Sequence, residues 1–174
     1  MKGNSLKRSN KCVFVSHCIL NQAVMADGLV RNEPAIIKQV LRFCMENDIG
    51  IVQMPCPETI CEAGGLGRER RGKGWYEKNG LRQTSEKIAK EQTDYMAKLS
   101  SNGVDILAII GVEFSPSCAP NYLSKGRTIV RDKGIYHEEL KRELQMRKLK
   151  IPFIGVNQRW KRKLAKQLGE VLQL

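Results

Sequence analysis

Asp105-Ile106-Leu107-Ala108-Ile109-Ile110-Gly111 is apolar from Ile106 to Ile110, with no polar alternation. A strand reads this way when helices cover both faces of its sheet, as they do in parallel sheets. Two shorter runs of the same kind precede it, Cys12–Ser16 and Ile51–Met54, and a fourth, Ile151–Val156, follows it. Pro152 places that fourth strand at an edge or at a strand beginning. Between the runs lie helical patterns. Pro34 suits a first helical turn, and Ile36, Ile37, Val40, Leu41 and Cys44 follow at helical spacing up to a stop near Asn47–Gly50. Ser85 reads as the N-cap of a helix reaching Leu99, and His137–Lys148 and Gln158–Leu172 read as charged helices. Alternating strands and helices predict a single-domain α/β protein over residues 1–174: a Rossmann-like three-layer sandwich with a mostly parallel sheet. The stretches 55–80 and 112–134 read as long loops, which are often functional.

The bulk composition narrows the class. A chain of 174 residues with 41% hydrophobic residues can build a core without disulfides. No run of residues has the length and apolarity of a membrane span, and Met1–Lys11 is polar and basic rather than leader-like. The expectation is therefore a cytoplasmic protein with no membrane partner. In that compartment six cysteines point to metal or redox chemistry rather than to disulfides. The formal charge of +12 makes RNA a candidate partner beside small anionic ligands, although a solvated basic face explains the charge equally well. Composition leaves the oligomeric state open.

Cys18, Cys56 and Cys118 each lie just past one of the first three apolar runs. Ligands of open α/β sheets bind outside the carboxyl ends of the strands, so the three thiols can meet on one rim. Pro55 and Pro57 flank Cys56, and Pro116 and Pro120 surround Cys118, which restricts the backbone on either side of each thiol. The spacing matches neither a ferredoxin nor paired zinc ligands. Three thiolates with no fourth protein ligand suit an iron–sulfur cluster that keeps one iron open. The alternative is that they are small buried hydrophobes.

These segments carry a family resemblance. Cys18-Ile19-Leu20-Asn21 with Asp27-Gly28, Cys56-Pro57-Glu58 with Gly64-Gly65-Leu66 and Arg70, and Ser115-Pro116-Ser117-Cys118 occur in order between residues 12 and 122. In this the chain resembles the thiouracil desulfurase (TudS-like desulfidase) family of small iron–sulfur proteins, as a divergent, related subgroup. The resemblance implies a [4Fe–4S] cluster held by Cys18, Cys56 and Cys118, whose remaining iron takes sulfur from a small thiolated substrate. It also implies that Glu58 and Ser115 are catalytic, and that Arg70, Ser117 and Asn21 are substrate-binding. Differences from the family fall at Glu113-Phe114, at Ile60-Cys61-Glu62-Ala63 and at Ala119-Pro120-Asn121-Tyr122, and they bear on which thiolated compound is used.

The implied activity is desulfuration of a thiolated nucleobase, nucleotide or small thiocarbonyl compound. The alternatives are desulfuration of thiouridine in RNA and a non-catalytic iron–sulfur or metal-binding protein. Cys12 and Cys44 read as core, while Cys61, five residues after Cys56 in the same loop, reads as core or as a thiol near the cluster with a ligand or redox role. His17 reads as structural, His137 as a surface residue, and Trp75-Tyr76 as either a cover over the site or simple packing. Gly64, Gly65 and Gly67 follow no phosphate-loop pattern and read as a tight turn.

Overall fold

The computed structural model describes residues 7–31 and 33–157, together with 166, 169 and 170. Along the described chain come β1 (Lys11–Ser16), α1 (His17–Leu20), α2 (Lys38–Glu46), β2 (Gly50–Met54), α3 (Pro57–Ile60), α4 (Lys73–Lys78), α5 (Leu81–Ser101), β3 (Asp105–Val112), β4 (Tyr122–Lys125), β5 (Thr128–Arg131), α6 (Ile135–Met146) and β6 (Phe153–Val156). A 3-10 turn, Gln22–Val24, follows α1. The main sheet has the order β2-β1-β3-β6, with every pairing parallel. The protein is α/β and Rossmann-like, with helices on both faces of the sheet.

The two faces follow from side-chain alternation. Val13 and Val15 of β1 pack with Val40 and Cys44 of α2, whereas Cys12 and Phe14 pack with Ile88 and Met96 of α5 and Leu140 of α6. In β3 the register shifts by one, from Cys12↔Ile106 to Val13↔Ala108. That bulge at Leu107 lets Ile106 and Ile109 share one face while Ala108 and Ile110 share the other. Phe14 is fully buried at the centre, where truncation to alanine would cost about 3–5 kcal/mol.

Several expectations need correction. The first long helix begins at Lys38, not at Pro34, because the backbone before it is engaged elsewhere. Gln22 N donates to Ala35 O at 2.8 Å, and Ile37 N donates to Ile19 O at 2.8 Å. Glu33 Oε2 then accepts from Lys38 N at 3.2 Å, which caps the helix from outside. Ser85 is not an N-cap: α5 starts four residues earlier, after a left-handed Gly80 (φ 84°), and Ser85 is buried inside it. The stretch 55–80 holds α3 and α4, and the stretch 112–134 holds the antiparallel hairpin β4–β5. Gly126, with φ 61°, takes the first central position of the two-residue hairpin turn. The helix expected over Gln158–Leu172 lies outside the described residues. No helix among the described residues is long and apolar enough to cross a membrane.

Candidate metal centre

The strand order reverses between β1 and β3, and the carboxyl ends of adjacent strands leave a crevice at such a point. Cys18 follows β1 in α1, Cys56 follows β2 as the residue before α3, and Cys118 follows β3. Pro57 at the first position of α3 presets the helical turn that carries Glu58. Beyond β3 the chain turns sharply at Phe114, whose φ of 67° is left-handed and costs about 1–3 kcal/mol. The Phe114 N–H bond to Tyr122 O, at 2.9 Å, helps hold that turn.

Helix α6 fixes the Cys118 loop. Its first amides donate to the loop carbonyls: Ile135 N to Pro116 O at 2.9 Å, and Tyr136 N and His137 N to Ser117 O at 3.0 and 3.2 Å. Orphan donors of a helix start thereby find partners in a buried loop. Two glycines make the approach close enough. A Cβ at Gly111 would stand 2.2 Å from Cys118 O, and one at Gly134 would stand 2.3 Å from the Ser117 carbonyl carbon.

All three thiols line one cavity of about 690 Å3, together with Glu58, Ser115 and Ser117. Cys56 and Cys118 are buried and Cys18 is half-buried at the residue level. Burial, then the neighbouring Cys118, Cys56 and Glu58, push the Cys18 thiol well above its ordinary range. Burial and then Cys56 push Cys118 up to about 12. Burial, then Glu58, raise Cys56. Three thiolates so placed repel one another unless a cation joins them. Among the described residues no three His, Cys, Asp or Glu side chains are arranged to hold a single metal ion. Three thiols on one cavity wall are soft donors of the kind that iron–sulfur clusters take. Ser16 Oγ is buried on the same wall beside Cys118, where it favours the thiolate against burial.

Glu58, 6% exposed, is the hub of the polar wall. Its Oε1 accepts from Ser117 Oγ at 2.5 Å and from Ser115 Oγ at 3.4 Å. Its Oε2 accepts from Arg68 Nη2 at 2.8 Å, from Arg68 Nε at 3.1 Å and from the Tyr76 hydroxyl at 3.1 Å. Burial, then the charge of Glu58, raise Tyr76 to about 12, so its hydroxyl keeps its proton and donates. Ser115 Oγ accepts from Cys118 N at 3.0 Å and from Ser117 N at 3.3 Å, which ties the loop to its own first serine.

The remaining expected residues are placed as follows. Arg70 lines the cavity but is exposed and stands at its mouth; the arginine against Glu58 is Arg68, which the sequence reading passed over. Asn21 does not line the cavity; its Oδ1 accepts from Ala23 N at 3.0 Å and caps the 3-10 turn. Cys61 is buried with Tyr76, Leu81 and Ile135, and its thiol donates to Asn79 O at 3.3 Å, away from the cavity. Cys12 and Cys44 lie in the two core layers. His17, expected to be structural, lines the cavity and lies 3.4 Å from the Gln53 amide. His137, expected at the surface, is fully buried behind Gly111 and Phe153. Tyr76 packs into the base of the site, and Trp75 lies beneath the Arg71 guanidinium.

No family model matches the chain. A solved structure described as the [4Fe–4S]-dependent thiouracil desulfidase TudS is 20% identical and covers 92% of this chain and 99% of that chain, with a TM-score of 0.48. The uncharacterized protein MJ0003 of Methanocaldococcus jannaschii is 30% identical over 138 residues, which span 79% of this chain and 80% of that protein. Through that relationship the chain belongs to the family of the uncharacterized protein MJ0003.

Proposed function

We propose that the protein is a desulfidase that converts a small thiocarbonyl compound and water into the carbonyl compound and hydrogen sulfide. One observation carries the reading: thiols from three separate strand ends share a cavity with a buried carboxylate that is already hydrogen-bonded to a serine. Cys18, Cys56 and Cys118 are the residues to hold a [4Fe–4S] cluster, as the motif resemblance implies. When bound, a cluster with one iron free of protein ligand supplies a Lewis acid for the thiocarbonyl sulfur.

The other groups handle water and protons. Glu58 Oε1 is the base for the attacking water: the water oxygen bonds to the thiocarbonyl carbon as a proton leaves to Glu58 and the C=S π pair moves to sulfur. On collapse the C–S bond breaks, so that both water protons end on the sulfur as hydrogen sulfide. Ser117 Oγ stands between Glu58 Oε1 and Cys118 Sγ, at 2.5 and 3.4 Å. Its single proton serves one of them at a time, so it can pass a proton between the carboxylate and the sulfur corner. Ser115 holds the loop by its two amide contacts and orients Ser117 at 3.1 Å. Val24, Met25, Leu29 and Leu123 give the cavity an apolar wall suited to a flat ring. Arg31, Arg70 and Lys125 come to its mouth from three segments, and none has an ion pair among the described residues. They favour a substrate that carries negative charge, such as a thiolated nucleotide.

Anaerobic reconstitution followed by a sulfide-release screen over 2-thiouracil, 4-thiouracil and their nucleotides tests the reading. Sulfide and the matching carbonyl product are expected; a loaded protein that releases none from any thiolated compound overturns it. The same cationic mouth supports a second reading, in which thiouridine within RNA is the substrate. A thiouridine-containing oligonucleotide would then bind with a steep loss of affinity on adding salt, and salt-indifferent binding would count against it.

A further inference from the structure

Glu58 is engaged unequally at its two oxygens. Three donors from two side chains converge on Oε2: Arg68 Nη2 at 2.8 Å, Arg68 Nε at 3.1 Å and the Tyr76 hydroxyl at 3.1 Å. Among the described residues, Oε1 meets only the two serines of the Cys118 loop. The planar guanidinium is itself immobilised. Arg68 Nη1 donates to Val24 O at 2.8 Å and to Gly65 O at 3.0 Å, and the side chain is 8% exposed. Its own carbonyl accepts from Asp27 N at 3.0 Å. Arg68 therefore joins the segment after Cys18, the turn after α3 and the Glu58 carboxylate in one rigid junction.

We propose that Arg68 is a positioning residue for Glu58: with Tyr76 it occupies Oε2, so that Oε1 alone is presented to Ser117 and the thiols. The inference deepens the desulfidase reading, and its kinetic arm rests on that reading. Physically, a carboxylate free to turn about its last side-chain torsion would offer either oxygen, in a broad range of orientations. Three donors on one oxygen remove that freedom before any substrate arrives. A base displaced by about 1 Å loses roughly 100-fold in rate. Lysine keeps the charge of arginine but offers no fork, so it restores the ion pair without the alignment.

Arg68 is distinct from the exposed Arg70 of the mouth, and the two make opposite kinetic forecasts. A substrate-gripping arginine acts through KM. Arg68 lines the cavity, but each of its guanidinium nitrogens already has a protein partner among Glu58, Tyr76, Val24 and Gly65. Its loss should fall on kcat.

The test compares Arg68→Met, Arg68→Lys and Tyr76→Phe with wild type, using Arg42→Met as a control far from the cavity. Infrared difference spectra of the apoproteins, each taken against its own Glu58→Gln version, isolate the Glu58 carboxylate bands. Those bands should shift in Arg68→Met and stay in place in Arg42→Met. In reconstituted protein with wild-type iron content, Arg68→Met should lower kcat roughly 100-fold with KM within about twofold. Arg68→Lys should recover part of that loss. Tyr76→Phe, which removes one hydroxyl from the junction, should lose roughly tenfold; it keeps the inference testable if Arg68→Met does not fold. An unmoved carboxylate band in an active enzyme, or a loss in KM alone, overturns the inference and leaves the desulfidase reading intact. A shifted band in a protein that releases no sulfide overturns the desulfidase reading and leaves the role of Arg68 at Glu58 standing.

Discussion

Glu58 Oε1 and Ser117 Oγ stand 2.5 Å apart, although 59 residues separate them in the chain. The contact joins α3, just after β2, to the loop after β3, and it places the carboxylate one hydroxyl away from Cys118. Glu58→Gln keeps the shape but removes the base, so sulfide release should fall by about 100- to 10,000-fold while iron content stays at the wild-type level. Ser117→Ala should fall less and in the same parameter. Steady-state kinetics on reconstituted protein, with iron assayed on the same samples, checks both.

Gly134 has an ordinary backbone (φ −70°), so only space forbids a side chain there. A Cβ would stand 2.4 Å from Ser117 O and 2.7 Å from Cys118 N. Gly134→Ala should lower stability by about 1–3 kcal/mol through overpacking. It should also reduce the iron retained, since the displaced backbone is the one that carries Cys118. Thermal melts and iron assays on the variant measure the two effects separately.

Burial, with a smaller contribution from Lys133, pushes His137 down to about 3, and neither ring nitrogen has a hydrogen-bond partner. The unfolded chain binds this proton near pH 6.5 and the folded protein does not, so the unfolded state holds more protons between those values. The stabilising contribution is complete above about pH 6.5 and is lost as pH falls toward 3, by about 1.4 kcal/mol per unit. His137→Leu should flatten the fall in melting temperature between pH 7 and pH 4.5. An unchanged slope would show that other groups set the acid sensitivity.

The raised thiols bear on loading. At neutral pH the apoprotein holds Cys18, Cys56 and Cys118 protonated, so binding iron must release one proton from each. Cluster assembly should therefore weaken as pH falls. Proton release during anaerobic reconstitution, followed at constant pH, measures this directly.

The parallel sheet was readable because several short unbroken apolar runs such as Ile106–Ile110 alternate with helical patterns, as strands covered on both faces do. The cysteines were readable because each falls just past such a run. The hairpin Tyr122–Arg131 was not, although its two four-residue strands flank a Gly-containing turn. Its side chains are mostly exposed, so no continuous apolar pattern marks it. Arg68 and Arg70 lie in one basic loop and look alike in sequence; only the folded turn puts one inside and the other outside. His137 looked solvated on a charged helix, but the helix start dives under the Cys118 loop, a contact between residues far apart in sequence. Asn21 stands at a motif position, and in the fold its side chain caps the 3-10 turn.

Iron and inorganic sulfide per chain after anaerobic reconstitution, in wild type and in Cys18→Ala, Cys56→Ala, Cys118→Ala and Cys61→Ala, probe the shared thiol centre most directly. About four irons and four sulfides are expected in wild type and in Cys61→Ala, with a loss in each of the other three. A single iron per chain, or a full complement retained in Cys56→Ala, would contradict it.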